Sequence, residues 1–563
     1  MVRKVLAFMH TEIVNIHHAA YLLGVFAFGS QLLGLVRDRM LAHHFGASSM
    51  LDVYYAAFRI PDMVYIVIAS LVSISVLVPF LSESFTRDAQ SGGNEQTRAL
   101  LSSVTTMFFG LIILVSLALL LVMPTLASIV APGFTGEDRE LFILLSRILL
   151  LSPVILGFSN VLGSITQSKQ KFFVYAVAPM LYNFGIIIGI LFFLPIWGMT
   201  GVVVGVLCGS LFHALIQVPT IRREGLFPRL TLKPNVDILK RITALSIPRS
   251  LALASTQFVF LVLVALATTL SEGSVTVLSF SFNIQSVPLS IIGVSYSVAA
   301  FPALARFASK GEGKRFAEHM ALAARHIILW SMPAIMLFIV LRAQIVRVVL
   351  GSGSFDWTDT RLTAAALAAY VVSVVAQALQ LLFVRGYYAA GKTTMPLVIN
   401  VVSAVVIIAA AFSGLHLFST YPDFRLFLEA VFRIEGLPGT DIVVLPLAYS
   451  LGMIVNVVLL WCFFNRDFHA FSLKMERAFA EMLVGSFVMG LVAYGMLGVV
   501  EPSVDTDTFI GIFLQGAISG FAGIFAGAAV LFLIGNKEIR ELATAIGTRT
   551  GMVRPVASEQ REL

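Results

Sequence analysis

Side chains that could do chemistry concentrate near the N-terminus of this 563-residue sequence. Arg37, Asp38 and Arg39 interrupt one apolar run, and Arg59 interrupts the next. Inserting a charge into a bilayer costs about 2.5–3.5 kcal/mol, so charges inside apolar runs mark candidate functional sites. Arginine stays charged and can bind phosphate oxygens through two parallel hydrogen bonds. A chamber lined by such residues would suit an anionic headgroup that carries phosphate or diphosphate.

Polar residues in the same and later apolar runs extend the candidate site. The substrate-binding candidates from these runs are Gln31, Arg37, Arg39, Asp52, Arg59, Arg147, Arg249 and Asn283. Two of them have a plainer alternative, because Arg37 and Arg39 could end a helix at the membrane surface and extend their charges into water. Arg147 could likewise pair with Glu140 or reach a neighbouring carbonyl group.

The sequence lacks the patterns of a metal site, a nucleotide site or an enzyme. Cys208 and Cys462 lie in apolar runs without partner ligands. The stretch Gly386–Thr393 matches the phosphate-loop pattern, but that loop needs a strand before it and a soluble helix after it. Here a transmembrane helix precedes it and Pro396 opens another, which indicates a tight turn. We expect no cofactor, no metal, no nucleotide and no enzymatic activity.

The elements that position these residues are predicted to be membrane-spanning helices. The chain is 58% hydrophobic and 12% charged, with a mean hydropathy of +0.92, whereas a soluble domain is about 25% charged. This composition excludes a water-soluble fold. A spanning helix needs roughly 20 apolar residues. The runs predict an all-α polytopic membrane protein with fourteen spans, at 21–45, 52–82, 98–123, 140–162, 172–194, 199–219, 242–268, 275–303, 322–342, 360–385, 395–416, 441–463, 478–499 and 509–534.

The basic residues predict the orientation of these helices. The net charge is +7, and placing both termini in the cytoplasm puts 27 of the 38 Lys and Arg residues on the inner face. Cytoplasmic loops of membrane proteins carry such an excess. The basic residues therefore indicate topology rather than nucleic-acid binding.

An internal repeat relates the first six spans to the next six. Four identities share a spacing of 223 residues, and they pair Pro79 with Pro302, Leu81 with Leu304, Gly163 with Gly386, and Lys169 with Lys392. This spacing predicts two parallel six-helix halves plus two extra C-terminal helices, an arrangement typical of alternating-access carriers. The predicted segments are a cytoplasmic N-terminal segment (1–20), a six-helix lobe (21–219), a basic cytoplasmic linker (220–241), a second lobe (242–463), helices 13 and 14 (464–534) and a cytoplasmic tail (535–563).

Three stretches of the sequence carry recognisable motifs. They are LLGLVRD at 32–38 with AFRIP at 57–61, LSEGSV at 270–275 with FPAL at 301–304, and RGYYAAGKTTMP at 385–396. In this order they resemble the MurJ (MviN) family of lipid II flippases. The resemblance implies a bacterial inner-membrane flippase of the superfamily that includes multidrug exporters. It also implies an undecaprenyl-diphosphate-linked peptidoglycan precursor as cargo, a headgroup path between the halves, and a prenyl-tail groove on the last two helices.

The resemblance is incomplete at the substrate site. Family members usually place arginine at the positions that match Gln31, Tyr65 and Asn283, which adds Tyr65 to the candidate site. Arg37, Asp52 and a basic residue at Arg59 carry over.

Several alternatives therefore stay open: a flippase for another prenyl-diphosphate-linked glycan, an ion-coupled exporter of cationic small molecules, and a scaffold of the cell-wall machinery. Membrane lipids are expected partners, and the sequence does not decide whether a coupling cation is involved.

Overall fold

The computed structural model describes residues 16–69, 74–91, 94–468, 475–536 and 539–540. Within these ranges the chain is helical, with turns between the helices and no β-strand. Most of the predicted cytoplasmic segment 1–20 and of the predicted tail 535–563 lies outside the described residues.

Among the described residues, eleven α-helices lie between Ile16 and Arg223. They are α1 Ile16–Phe45, α2 Ser49–Ala57, α3 Arg59–Ala69, α4 Ile74–Ser91, α5 Glu95–Val130, α6 Gly136–Leu149, α7 Leu151–Ser168, α8 Phe172–Ile188, α9 Leu194–Trp197, α10 Met199–Leu215 and α11 Val218–Arg223. A π-helical turn, Gly189–Phe193, continues α8.

The remaining described residues form twelve further α-helices. They are α12 Val236–Thr268, α13 Ser274–Pro288, α14 Ser295–Ser309, α15 Gly313–Val340, α16 Arg342–Leu350, α17 Trp357–Val371, α18 Val374–Ala389, α19 Thr394–Thr420, α20 Pro422–Phe432, α21 Val444–Phe468, α22 Met475–Val500 and α23 Phe509–Ile534. A π-helical segment, Leu289–Val294, joins α13 to α14.

The apolar helices make this a multi-pass membrane protein. Among the described residues, eleven helices are long and apolar enough to cross a bilayer, and α17 with α18, bent by 42°, would make twelve. These coincide with predicted spans three to fourteen. The described residues of predicted spans one and two are also helical, but α1 carries three adjacent charged residues, and Phe58 separates α2 from α3 within span two. The adjacent charges of span one and the break at Phe58 in span two set these two spans apart from the other twelve.

The chain divides into two compact units. The first comprises residues up to Ile284, Val349–Ala366 and Thr393–Gly452, and the second comprises Gln285–Val348, Leu367–Lys392 and the residues from Met453 onward. In the first unit, a buried apolar core joins α4, α5 and α7 through residues such as Leu81, Phe108 and Ile165. In the second unit, α22 packs along α23, where Gly527 lies against Met489.

Small residues bring α8 and α10 unusually close together in the first unit. Gly185 and Gly189 on α8 and its π-helical extension face Gly205 and Gly209 on α10, and a methyl group added at Gly185 would collide with the Gly209 backbone. Stripes of small residues allow such backbone contact between membrane helices. This packing fixes α8, which carries two polar residues of the candidate site, Tyr182 and Asn183.

Candidate functional site

A polar cavity lies within the first unit, among helices α1, α2, α3, α8, α12 and α13. Its volume is about 250 Å³. Arg37, Arg59, Asp62 and Asn283 contribute charged and amide groups to the lining, and most of the other lining residues are aromatic or aliphatic. We name this cavity the polar chamber. Its polar lining residues are Arg37, Tyr54, Tyr55, Arg59, Asp62, Tyr182, Ser279 and Asn283.

Arg37 is held in a fixed orientation by its own neighbour. Its Nε and Nη2 atoms donate to Oδ1 of Asp38 at 2.9 and 2.7 Å, and Nη1 donates to Oδ1 of Asn183 at 3.2 Å. Asn183 is fixed in turn, because its Nδ2 donates to the carbonyl and hydroxyl oxygens of Ser30. A guanidinium has five N–H groups, so these bonds leave two for a ligand. The Arg37 side chain is 19% exposed.

Asp38 is the buried partner of this arginine. It is 2% exposed, and its Oδ1 also accepts from the Tyr55 hydroxyl at 3.3 Å. Its Oδ2 accepts from Nδ2 of Asn283 at 2.9 Å. A buried carboxylate requires such pairing, because an isolated charge is costly to remove from water. Asn283 therefore positions the carboxylate that positions Arg37.

The second cation of the polar chamber is Arg59, one turn before Asp62 on α3. Both side chains line the cavity. Residues three apart on a helix share a face, so α3 presents a positive and a negative group side by side. With Arg37 and Asp38, the site contains two arginines and two aspartates. Its charges are therefore largely compensated within the site.

Comparison with known proteins identifies the family. A family model described as lipid II flippase MurJ matches residues 41–422. A probable lipid II flippase MurJ of Rhizobium tropici is 25% identical over 91% of this chain and 93% of its own length. Its counterpart in Haemophilus influenzae is also 25% identical, over 90% of this chain and 97% of its own length. The chain belongs to the lipid II flippase MurJ family.

Solved structures show the same fold as this MurJ-family chain. A lipid II flippase MurJ in an inward closed conformation has a TM-score of 0.71 at 21% identity, covering 93% of this chain and all of that one. An inward-facing multidrug transporter of the MATE family gives a TM-score of 0.63 at 16% identity, covering 78% and 95%. The family-model match and the relatives confirm the predicted family and, with it, the prediction of a transporter rather than an enzyme.

Asp52, predicted as a binding residue, lies away from the polar chamber in this MurJ-family chain. It is 3% exposed, and its carboxylate accepts from the backbone N–H groups of Gly273 and Thr276 at 2.8 and 2.7 Å and from the Thr276 hydroxyl at 2.6 Å. It thus caps the first turn of α13. Gly273 has φ +85°, and a side chain there would collide with the Ala47 carbonyl. The motif LSEGSV therefore builds a tight joint with the turn after α1.

Two predicted arginines reach backbone carbonyl groups instead of the polar chamber. Nη1 of Arg39 donates to the Val349 carbonyl at 3.4 Å. Arg147 is exposed on α6, and its Nε donates to the Leu120 carbonyl at 3.1 Å. This is the carbonyl alternative considered for Arg147. Arg249 belongs to α12, but its side chain lies outside the described part of the structure.

Two further predicted residues also lie outside the lining of the polar chamber. The Tyr65 hydroxyl accepts from Nδ2 of Asn160 at 3.0 Å. Gln31 is partly buried on α1, almost two turns before Arg37. Of the nine predicted residues, the structure thus brings together Arg37, Arg59 and Asn283.

The sequence reasoning missed several residues of the site. Tyr54 and Tyr182 line the chamber, and Asn183 orients Arg37. Asn183 could have been found, because it is an amide inside the otherwise apolar run 172–194. Among the described residues, no group of three or more His, Cys, Asp or Glu side chains is placed to hold a metal ion.

Proposed function

We propose that this protein moves lipid II, the lipid-linked peptidoglycan precursor, from the inner to the outer leaflet of the bacterial plasma membrane. The headgroup phosphate binds to the arginines of the polar chamber, and the protein works by alternating access. The observation that carries the proposal is Arg37, a fixed guanidinium with two remaining N–H groups at a cavity between membrane helices. Family membership supports the same cargo.

The chamber chemistry suits reversible binding of a diphosphate. Two N–H groups of Arg37 match two phosphate oxygens, and Arg59 adds a second positive charge. The hydroxyl groups of Tyr54 and Tyr182 add neutral donors. Asp38 and Asp62 oppose the anion, so the ligand binds less tightly than it would to arginines alone. A carrier needs this balance because it must release what it binds.

The size of the chamber supports a change in conformation during transport. Its volume of about 250 Å³ is below the roughly 300–1,000 Å³ of pockets that enclose drug-sized ligands. A diphosphate fits this space, whereas a glycopeptide headgroup does not. The headgroup can therefore enter only after the helices separate, as alternating access requires.

We also propose fourteen spans, with both termini cytoplasmic and two six-helix halves at 21–219 and 242–463. The breaks in two helices support the repeat. Leu150 separates α6 from α7, and Ser373 lies in the break between α17 and α18, 223 residues later. This is the spacing of the sequence identities. The linker 220–241 joins the halves, and α22 and α23 form the groove for the prenyl tail.

Complementation tests this proposal. The gene is expressed in cells depleted of their own lipid II flippase, and growth is measured together with the amount of folded protein in the membrane. We expect the wild type and Arg147→Ala to restore growth and Arg37→Ala to fail. Arg147 is a matched control, because it is also an arginine in a membrane helix but bonds to a neighbouring carbonyl. Folded wild-type protein that does not restore growth would refute the proposal.

A second candidate is a flippase for another prenyl-diphosphate-linked glycan. Two arginines facing two aspartates, with Asn283 at the place of a usual family arginine, favour this alternative. Binding of purified protein to lipid II and to other prenyl-linked sugars separates the two candidates, because the true cargo binds more tightly and loses affinity in Arg37→Ala.

A further inference from the structure

A second cavity lies in the first unit, where the linker after α11 meets the start of α5. Its volume is about 790 Å³. Four basic side chains line it, those of Arg98, Arg222, Arg229 and Lys233, and no acidic residue does. None of the four forms an ion pair within 4.0 Å with a carboxylate of the described residues; the linker's Glu224 faces Lys171 instead. We name this cavity the linker pocket.

Two of these cations are fixed by local structure. Gly225 turns the chain with φ +67°, a conformation that disfavours other residues. Its carbonyl accepts from Nε of Arg98 at 2.9 Å, across 127 residues of sequence. The guanidinium of Arg222 lies over the Phe227 ring at 5.3 Å. The charges therefore face the cavity before any ligand arrives.

The linker itself is bound to α5 through its backbone. The N–H of Thr231 donates to the Thr106 hydroxyl at 2.9 Å, and that of Asn235 donates to the Ser103 hydroxyl at 3.0 Å. These bonds fix the segment that carries Arg229 and Lys233. The linker pocket is thus preformed, which reduces the entropy lost on binding.

Like charges gathered around a cavity repel one another and attract an anion. Guanidinium groups match phosphate oxygens in particular, because their N–H groups bind two oxygens at once. A phosphate ester is therefore the ligand chemistry that the linker pocket fits.

The surroundings indicate that this phosphate belongs to a membrane lipid. Arg98 is the last charged residue before the apolar remainder of α5, so the pocket lies where α5 enters the bilayer. The linker alternates polar and apolar side chains: Arg229, Thr231 and Lys233 line the pocket, whereas Leu230 is 69% exposed and Leu232 fully exposed. Exposed leucines beside basic residues are typical of a segment at the membrane interface.

We propose that the linker pocket binds the phosphodiester headgroup of an anionic membrane phospholipid. Leu230 and Leu232 insert among the acyl chains, while the four cations hold the headgroup. The site is separate from the polar chamber and does not require transport of lipid II. Basic pockets at the ends of membrane helices bind lipid headgroups in this way.

Native mass spectrometry of the purified, delipidated full-length protein tests the proposal by titration with phosphatidylglycerol or phosphatidylcholine. We expect a site selective for phosphatidylglycerol in the wild type. Arg229→Gln/Lys233→Gln should weaken it about 25-fold, since each basic side chain near an anionic membrane contributes about fivefold. The matched control Lys310→Gln/Lys314→Gln removes two exposed cations next to the turn between α14 and α15 and should change affinity less than about twofold.

Further arms identify the source of the phosphate. Leu230→Ser/Leu232→Ser should weaken phosphatidylglycerol binding, and excess inorganic phosphate should compete poorly. Full displacement by inorganic phosphate with normal binding by the leucine variant would overturn the proposal in favour of a soluble anion. If the Arg229→Gln/Lys233→Gln variant loses affinity for undecaprenyl diphosphate but keeps its affinity for phosphatidylglycerol, the linker pocket binds the cargo and the proposal is overturned. Equal phosphatidylglycerol affinity of that variant and the control would also overturn it. Unchanged unfolding temperatures establish that the variants are folded.

Discussion

The polar chamber and the linker pocket both contain arginines, but acidic side chains balance the positive charges only in the chamber. In the chamber, Arg37 pairs with Asp38, and Arg59 shares a helix face with Asp62. In the linker pocket, four cations face a cavity without an acidic lining residue. Low-dielectric surroundings make an isolated charge costly, whereas the surface tolerates it. Charges between membrane helices are therefore balanced within the protein, and those at the membrane surface are left for an outside anion.

Removing the acid of the chamber should have the largest effect on stability. Asp38→Ala leaves the partly buried Arg37 without its main partner, and breaking a buried ion pair costs about 3–5 kcal/mol. Chemical unfolding in detergent measures this loss, with Asp38→Asn as a control that keeps one hydrogen-bond acceptor and should lose less. A change below about 1 kcal/mol in Asp38→Ala would show that the chamber does not depend on charge balance.

A second prediction concerns Asp52, whose buried carboxylate is compensated by hydrogen bonds at the start of α13. Asp52→Ala removes three hydrogen bonds to the start of α13. We expect a loss of about 2 kcal/mol of unfolding free energy, typical of a good helix cap or a charged hydrogen bond. Asp52→Asn should recover part of it. If transport is lost while stability is unchanged, Asp52 acts on the substrate rather than as a cap.

Glu429 lies on α20, outside the predicted spans. The pH dependence of the unfolding free energy tests whether neighbouring groups compensate its buried charge. Burial alone would raise its pKa, but hydrogen bonds from Thr440 and Arg425 hold the pKa below its ordinary value of 4.5. Its contribution to stability is therefore present above pH 4.5 and is lost as pH falls through the lowered pKa. We expect Glu429→Gln to lose about 1 kcal/mol at neutral pH. Its unfolding free energy should approach that of the wild type in acid. A constant difference across pH would contradict this account.

The linker pocket should give the smallest effect, and one of opposite sign. Without lipid, Arg229→Gln reduces repulsion among like charges, so we expect stability unchanged or raised by up to about 0.5 kcal/mol. Anionic lipid should then stabilise the wild type more than the variant. A clear destabilisation of lipid-free Arg229→Gln would mean that this arginine is balanced within the protein, as the chamber arginines are.

The sequence predicted the membrane helices better than the site. Apolar length alone located spans three to fourteen, because burial in lipid imposes it on every spanning helix. The Arg37–Asp38 pair was not predicted, since adjacent residues on a helix point in different directions and meet here through the long guanidinium arm. Asn183 contacts Arg37 from 146 residues away. Contacts of this kind depend on the packing of helices that are distant in sequence, which no local pattern reveals.

Motifs were informative about family but not about the role of each residue. LSEGSV supported the resemblance, yet Gly273 and Asp52 build a joint rather than line the chamber. The basic linker indicated topology, and its pocket arises only when the turn at Gly225 brings Arg98 to it.

Direct binding of lipid II to the purified protein tests the central claim, that Arg37 holds the phosphate of the cargo. We expect Arg37→Ala to bind lipid II at least about tenfold more weakly than the wild type, since a charged hydrogen bond contributes about 1.5–3 kcal/mol. Arg147→Ala should bind as the wild type does. Equal affinities of wild type and Arg37→Ala, with both proteins folded, would contradict the account.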